Sequence, residues 1–588
     1  MEILTRAIRA NIASVVSVVS VVSVVMNFIC RCLLYSVAFF WSQVVVAAEP
    51  SLGLHDLGDE TCDSKPLDAK ANGIIKTINI NIKPIFDMDD PTEDKWLFRT
   101  ANALHLDTHS TVIRRDLLFK EGDVFNSGLL SQTERKLRSR PYLNSASVIS
   151  RVDCNSNIII DVMVKEVWTF EPSLHFSSAG SNSRFGYGIK DANIFGLGKT
   201  VNLSHSTDDL RSNTNLQYLD PNTGIMNSEF ELNYGSNSDG FHHRVRLEKP
   251  FESLHAQWTA GFNLDTARYE DRLYDAGDEV DKFLVDSHFF TLFYGQNISN
   301  TQADRAGRLI VGVTRQSARY AELEGVDQFG AATSTLFVPN DTEYSYPWVE
   351  FQYIEEDFIE TSNLRQINRI EDVNLGLEFR AKLGYVFSDF DALDQNIVFD
   401  AAVSKTKALT ENQFITINTS VSGLYSSDAL LNGVIAGEGA YYWKNGKSAQ
   451  LYAHILDQRA LNPFGNNYLR LGGETGLRGY PANFQTGDHL QLVNLEQRFY
   501  GSKELWSLFY PGAAVFFDGG QASGESVIAQ SYPGWLYDVG FGLRFSNTRL
   551  GGDSDGGHSV IHLDLAFPVG ADESIDPVQF LVKVKSSF

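Results

Sequence analysis

The sequence predicts a mostly β protein: a transmembrane antiparallel β-barrel of about 16 strands, preceded by one small α+β domain. Three observations point that way. After Ala48 no uninterrupted apolar run approaches the ~20 residues that a helix needs to cross a bilayer. A mature chain that spans a membrane must therefore do so with strands. From Phe170 to the end, large apolar residues alternate with polar and charged ones, the period of a strand with two unlike faces. Near the C-terminus, a long polar segment between strand-like runs carries Gly476-Leu477-Arg478-Gly479-Tyr480, an arginine set between two glycines.

Residues 1–48 begin with Arg6 and Arg9, continue through apolar runs and end in Val44-Val45-Val46-Ala47-Ala48. A positive start, an apolar stretch and a small-residue end describe a secretory signal. The Val-Val-Ser repeat before Met26 makes Met26 an alternative start, leaving Met26 to Ala48 as a signal of conventional size. A retained N-terminal membrane helix is the competing reading of the same segment. Residues 49–72 are polar and irregular, and read as a linker.

Residues 73–169 read as a compact α+β module. Ile78, Ile80 and Ile82 alternate with polar residues in a first strand. Helical material follows through Trp96-Leu97-Phe98 and Val112 to Phe119. Asn126 or Ser127 then offers an N-cap for a second helix through Leu129, Leu130, Thr133 and Leu137. Ala146–Val152 and Ile158–Val164 close the module as a hairpin around the polar turn Asp153–Asn157.

Residues 170–588 read as the barrel. Leu377, Phe379, Ala381, Leu383 and Tyr385 alternate with Glu378, Arg380, Lys382 and Gly384; Ile561, Leu563, Leu565 and Phe567 alternate with His562, Asp564 and Ala566. Charges at every second position are costly facing a dry sandwich core, and they suit a barrel with lipid outside and water inside. A soluble β-sandwich or propeller is the competing fold, but no 40–50-residue repeat supports a propeller. Counted back from the C-terminus, 559–568 rise, 536–547 descend, 511–519 rise and 489–499 descend. Residues 457–488 then lie beyond the rim opposite the N-terminal module, in a connection far longer than an ordinary hairpin loop.

That connection carries the arginine. Glycine backbones let Arg478 approach a wall closely, and its guanidinium offers a planar, permanently charged fork to a carboxylate. Glu496 and Asp518 are the candidates. By strand parity Glu496 lies with Asn494 and Arg498, and Asp518 with Ala514 and Phe516, so both carboxylates can face the lumen. The expectation is a structural latch, not a catalytic site.

The formal charge of −24 argues against a nucleic-acid partner. Cys62 and Cys154 remain once the signal is gone and would meet an oxidising compartment; pairing across a long loop and two separate thiols stay equally open. No Cys/His spacing resembles a zinc site, and no glycine-rich phosphate loop precedes a helix. Gly552-Asp553-Ser554-Asp555-Gly556 fits the nucleophile-elbow pattern in letters only, because it joins two strands instead of a strand and a helix. No enzyme activity, cofactor or metal is expected.

Taken in order along the chain, these motifs resemble the BamA/TamA superfamily of outer-membrane assembly and translocation barrels, also called the bacterial surface antigen family. Gly476-Leu477-Arg478-Gly479-Tyr480 looks like the family's in-folded signature loop, with Leu477 and Tyr480 where valine and phenylalanine are commoner. Phe517-Asp518-Gly519-Gly520 resembles its paired signature, and Glu496 matches the acidic position on the strand before. Gly186 to Gly198 is similar to the first barrel hairpin. Residues 73–169 look like a single POTRA domain where the best-known members carry several. Phe588, with Phe580, Val582 and Val584 on one strand parity, resembles the C-terminal targeting signal of outer-membrane barrels. The resemblance implies a bacterial outer-membrane location with the POTRA domain in the periplasm. It also implies help with insertion or translocation of proteins or lipid. The implied partners are outer-membrane lipids, unfolded outer-membrane or secreted clients, and periplasmic factors reached through the POTRA domain. A passive pore or a structural surface-antigen barrel is the alternative.

Overall fold

In the computed structural model the described residues are 65–66 and 73–585, apart from 92, 154–156, 180–181, 209–210, 300–303, 324, 327–331, 334–336, 387–395, 427–428, 551–559 and 573–574. The signal segment, Cys62, Cys154, Phe588 and the glycine-rich stretch around Ser554 lie outside them.

The N-terminal module is a four-stranded sheet with three helices. Its strands are β1 (Lys65–Pro66), β2 (Ile75–Lys83), β3 (Leu143–Val152) and β4 (Ile158–Glu166); its helices are α1 (Trp96–Leu104), α2 (Ser110–Asp116) and α3 (Ser127–Arg138). The sheet order is β1-β3-β4-β2, with β2 parallel to β4 and the other pairs antiparallel. Two features depart from the expectation. A short strand lies inside the stretch read as linker, and the helical material before α3 is two helices, separated where His105 leaves helical geometry at ψ 138°. The Asn126 side chain caps α3 by accepting from the Gly128 N–H at 2.9 Å. Alternation along β4 is complete: Ile158, Ile160, Val162 and Val164 are buried against Ile113, Leu130 and Leu137 of the helices.

Beneath this core sits a buried ion pair. Arg140 donates to both oxygens of Asp116, at 2.7 and 2.5 Å, and the Tyr142 hydroxyl donates to the same carboxylate at 3.2 Å. Burial alone would raise the Asp116 carboxyl, but Arg140 and Lys136 outweigh it and hold it below the usual carboxylate range. A carboxyl depressed in the folded state contributes stability that is complete above its unfolded value, about pH 4. That contribution is lost as the pH falls through the lower, folded value. Hydrogen exchange of α2 and α3, corrected for intrinsic pH dependence, is therefore expected to accelerate below about pH 4. Asp116→Asn should exchange fast already at neutral pH, because Arg140 is left buried without its carboxylate. Wild-type protection in that variant would remove the pair from the account.

Residues 170–585 form a closed antiparallel barrel of 20 strands, each paired with the next in sequence and the last beside the first. The class is the expected one, and the count exceeds the expected 16 by four. Several connections, such as 276–277, 411–412 and 447–448, consume two residues each, so the chain has length to spare for more strands. Strand length varies. The first six barrel strands run 9 or 10 residues, while Trp258–Asp275 and Asp278–Asn297 run 18 and 20.

The faces are inverted relative to a water-soluble protein. On Leu536–Asn547, Val539, Phe541 and Leu543 point outward and are exposed, while Asp538 and Arg544 point inward and are buried. On Phe509–Ser523, Val515 and Phe517 face out, with Phe516 and Asp518 facing in. No helix among the described residues is long and apolar enough to cross a membrane. An apolar outer band over a polar interior is what a strand-built membrane span requires.

Candidate functional site

Residues 462–488 connect the strand Ala449–Leu461 to His489–Tyr500. They begin five residues later than the sequence reading placed them. The segment narrows through a short ladder, Leu469–Leu471 against Gln485–Gly487, and then turns back into the lumen. Within the turn Leu477 N–H donates to Gly472 C=O at 3.0 Å, and Gly473 N–H to Pro481 C=O at 3.1 Å. Leu477 and Tyr480 are buried with Leu471, Phe484, Leu490 and Leu492, which anchors the turn on both sides of the arginine.

Two glycines are required by geometry. Gly476 sits at φ +116°, where a side chain is strained, and a Cβ there would lie 2.6 Å from Leu492 Cδ2. Gly479 lies so close to Asp538 that a Cβ would overlap that residue's own, and its N–H donates to Asp538 Oδ2 at 2.8 Å.

Between them Arg478 makes three charged hydrogen bonds. Nε and Nη2 donate to the two oxygens of Asp518 at 2.7 Å each, and Nη1 donates to Glu496 Oε1 at 2.7 Å. The guanidinium also lies 3.5 Å from the centroid of the Phe516 ring. Arg498 takes the second oxygen of Glu496 at 2.8 Å, and Asn494 bridges Gly476 C=O and Asp518 Oδ1 at 2.8 and 2.7 Å. The structure thus brings Arg478, Gly476, Gly479, Tyr480, Glu496 and Asp518 into one buried cluster.

Three members were not singled out from the sequence. Asn494 and Arg498 share the parity of Glu496, which is the signal that could have found them. Asp538 is directly opposite Asp518 in the strand register, information that one strand's residues do not contain. Lys583, on the last strand, donates to Gly473 C=O at 2.6 Å, so the loop is fastened to that strand as well. On the same strand Phe580 and Val584 are exposed outward, with Val582 on their side and Leu581 buried.

A second segment enters from the module's end of the barrel. Residues 356–376 form a hairpin, Phe358–Ser362 with Ile370–Asn374. Its tip is shaped by Asn363 and Asn368 in left-handed conformations, at φ 56° and 52°. Glu371 closes the tip by accepting the N–H groups of Leu364, Arg365 and Gln366. Leu364 packs on the inward-facing Phe414 and Tyr442, and Ile367 on Tyr500 and Ala514 further round the wall. Helix α3 holds the base: Arg138 donates to both oxygens of Asp372 at 2.9 and 2.6 Å, and Arg135 to Glu356 at 2.9 Å. Nothing in the local sequence marks this hairpin as a lumen segment.

Among the described residues, His105, Asp107 and Glu166 bring metal-ligand atoms within 4.8 Å of one another. Glu166 is already engaged, by His105 Nε2 at 3.1 Å and by Thr108 N–H at 2.6 Å, which reads as a clasp within the module.

No family model and no curated protein sequence matches the chain. Among solved structures it is similar to BamA from Haemophilus ducreyi lacking POTRA domains 1-3, at 12% identity over 87% of this chain and 85% of that one, with a TM-score of 0.36. It is similar to CdiB from Acinetobacter baumannii at 14% identity, over 87% and 73% of the two chains, with a TM-score of 0.42. For CdiB from Escherichia coli the figures are 11%, 87%, 76% and 0.45. These are distant likenesses, of shape and not of sequence.

Proposed function

We propose that this chain is a bacterial outer-membrane barrel that assists proteins, or lipid, in inserting into or crossing that membrane. Its N-terminal module is then a single POTRA domain in the periplasm, and Arg478, Glu496 and Asp518 form a latch holding an outer loop inside the lumen. The observation that carries this reading is the in-folded loop itself: a buried arginine fork aimed at two wall carboxylates serves to fix a loop. The hairpin 356–376 weighs against the rival reading of a passive pore, because it occupies part of the lumen's other end.

The module supplies a surface for clients or periplasmic factors. Strand β2 is the last in its sheet; its start is covered by the 121–125 loop, which bonds Ile75, while Glu121 and Arg114 bond Ile78, and beyond Ile78 no strand among the described residues pairs with its other side. An extended segment of an unfolded client can add there by β-augmentation. The free energy for insertion comes from the client's own folding in lipid.

The test is insertion of an unfolded barrel client into liposomes holding the purified protein. Faster acquisition of protease-resistant, folded client than in empty liposomes is expected. Client folding at the empty-liposome rate, together with steady ion conductance, would return the protein to the pore class.

A further inference from the structure

Helix α1 wears its apolar side outward. Phe98 and Asn102 form its inner face: Phe98 stacks on Phe86 at 4.1 Å between centroids, and the Asn102 amide exchanges hydrogen bonds with the Phe86 backbone at 2.8 and 3.2 Å. On the helical wheel, Trp96, Leu97 and Leu104 fall within about 100° of one another on the opposite side. They are not packed against anything described: Trp96 is 77% exposed, Leu97 53% and Leu104 69%, and Leu106 just beyond is exposed too. A helix facing water on that side would carry charges there.

The placement of α1 says what covers it. Before its N-terminus, Glu93 pairs with Arg549 in the connection that follows the strand Leu536–Asn547. Beyond its C-terminus, His109 N–H donates to Gly196 C=O at 3.0 Å, and Asn193 donates to Thr108 Oγ1 at 2.8 Å, in the connection after Asn182–Asp191. In the barrel order these two connections flank the last two strands and the first two, so α1 runs beneath the wall where the barrel closes. The rim around it carries the same chemistry. Trp506, at 74% exposure, and Phe195, at 66%, project from neighbouring connections at the module's end of the barrel.

We infer that the outer face of α1 lies in the membrane leaflet on the module's side, continuing the barrel's lipid-facing band as an interfacial helix beneath the closing strands. Tryptophan and leucine on one side of a short helix suit the boundary between headgroups and acyl chains. The inference rests on the reading of the barrel as a membrane span, and its failure is separable from failure of that reading.

The test places single cysteines, each spin-labelled, in the full mature chain with Cys62 and Cys154 changed to serine. The protein is reconstituted in phosphatidylethanolamine–phosphatidylglycerol vesicles. Leu97→Cys and Leu104→Cys report on α1, Leu543→Cys on the barrel's outer wall, and Ile149→Cys on an exposed site of β3. Collision rates with oxygen, which concentrates in lipid, are compared with those of a water-soluble nickel complex. Labels at 97, 104 and 543 are expected to favour oxygen, and the label at 149 to favour nickel. Nickel preference at 97 and 104 with oxygen preference at 543 overturns the inference and leaves the barrel reading standing. Protection of 97 and 104 from both reagents means a protein covers α1, and overturns it as well. Nickel preference at 543 overturns the membrane span and the inference together.

Discussion

Arg478→Ala is expected to destabilise the barrel by about 3–5 kcal/mol, the usual cost of removing one partner from a buried, hydrogen-bonded charge pair. The substitution leaves Asp518 fully buried with its two fork contacts gone, beside Asp538 on the next strand, and leaves Glu496 with Arg498 alone. Asp518 is then buried without its cation, and the loop it held is free to leave the lumen. The readouts are loss of heat-modifiable mobility on gels and protease cleavage within 472–480. Arg478→Lys should recover only part of the loss, since an ammonium cannot make the paired contact to Asp518 and reach Glu496 at the same time. Normal assembly and an uncleaved loop in Arg478→Ala would sink the latch.

The second large effect is electrical. Replacing residues 358–374 by a short Gly-Ser linker is expected to give a folded barrel with steady ion conductance in planar bilayers, where the intact chain stays mostly closed. The hairpin makes no strand of the barrel, so its removal leaves the pairing of the wall unchanged. A milder variant probes the base: Arg138→Glu sets a like charge against Asp372 and Glu360 and should weaken the hold of α3 by roughly 1–3 kcal/mol, between the exposed and buried limits for ion pairs. Intermittent openings are the expected signature. If the deleted barrel conducts no more than the intact chain, the hairpin is not what closes that mouth.

The parts of the molecule legible in sequence were those written in local pattern. Alternation at Ile561, Leu563, Leu565 and Phe567 against His562, Asp564 and Ala566 gave inside and outside before any strand was paired. Parity put Glu496 and Asp518 in the lumen, and the glycines around Arg478 gave a reason for an arginine to come close. Asp538 was illegible for a physical reason. One inward aspartate on a strand looks like any residue of a wet lumen, and only register with Asp518 makes it a neighbour. The hairpin was hidden differently: Ile370–Asn374 shows no alternation, its two apolar residues falling on opposite faces, and its destination is set by Phe414, Tyr442 and Tyr500, far away in the chain. The strand count ran low because tight turns are shorter than the allowance made for them.

The order of the strands has a kinetic consequence. Each barrel strand pairs with its neighbour in sequence, so nearly every ladder can form by local zipping, with little chain entropy lost at each step. One junction is different in kind. Bringing the last strand, Gln579–Lys585, beside the first, Phe170–Ala179, closes a loop of about 400 residues, an entropic cost of about 5 kcal/mol that falls on a single event. The turn bearing Arg478 takes its bonds from 489–500, 509–523, 536–547 and 579–585, all later in the chain, while the start of the same loop also reaches back to Asp271 and Arg272. A curved C-terminal ribbon, already stiffened from within, would then meet its distant edge as a prepared surface rather than a loose strand.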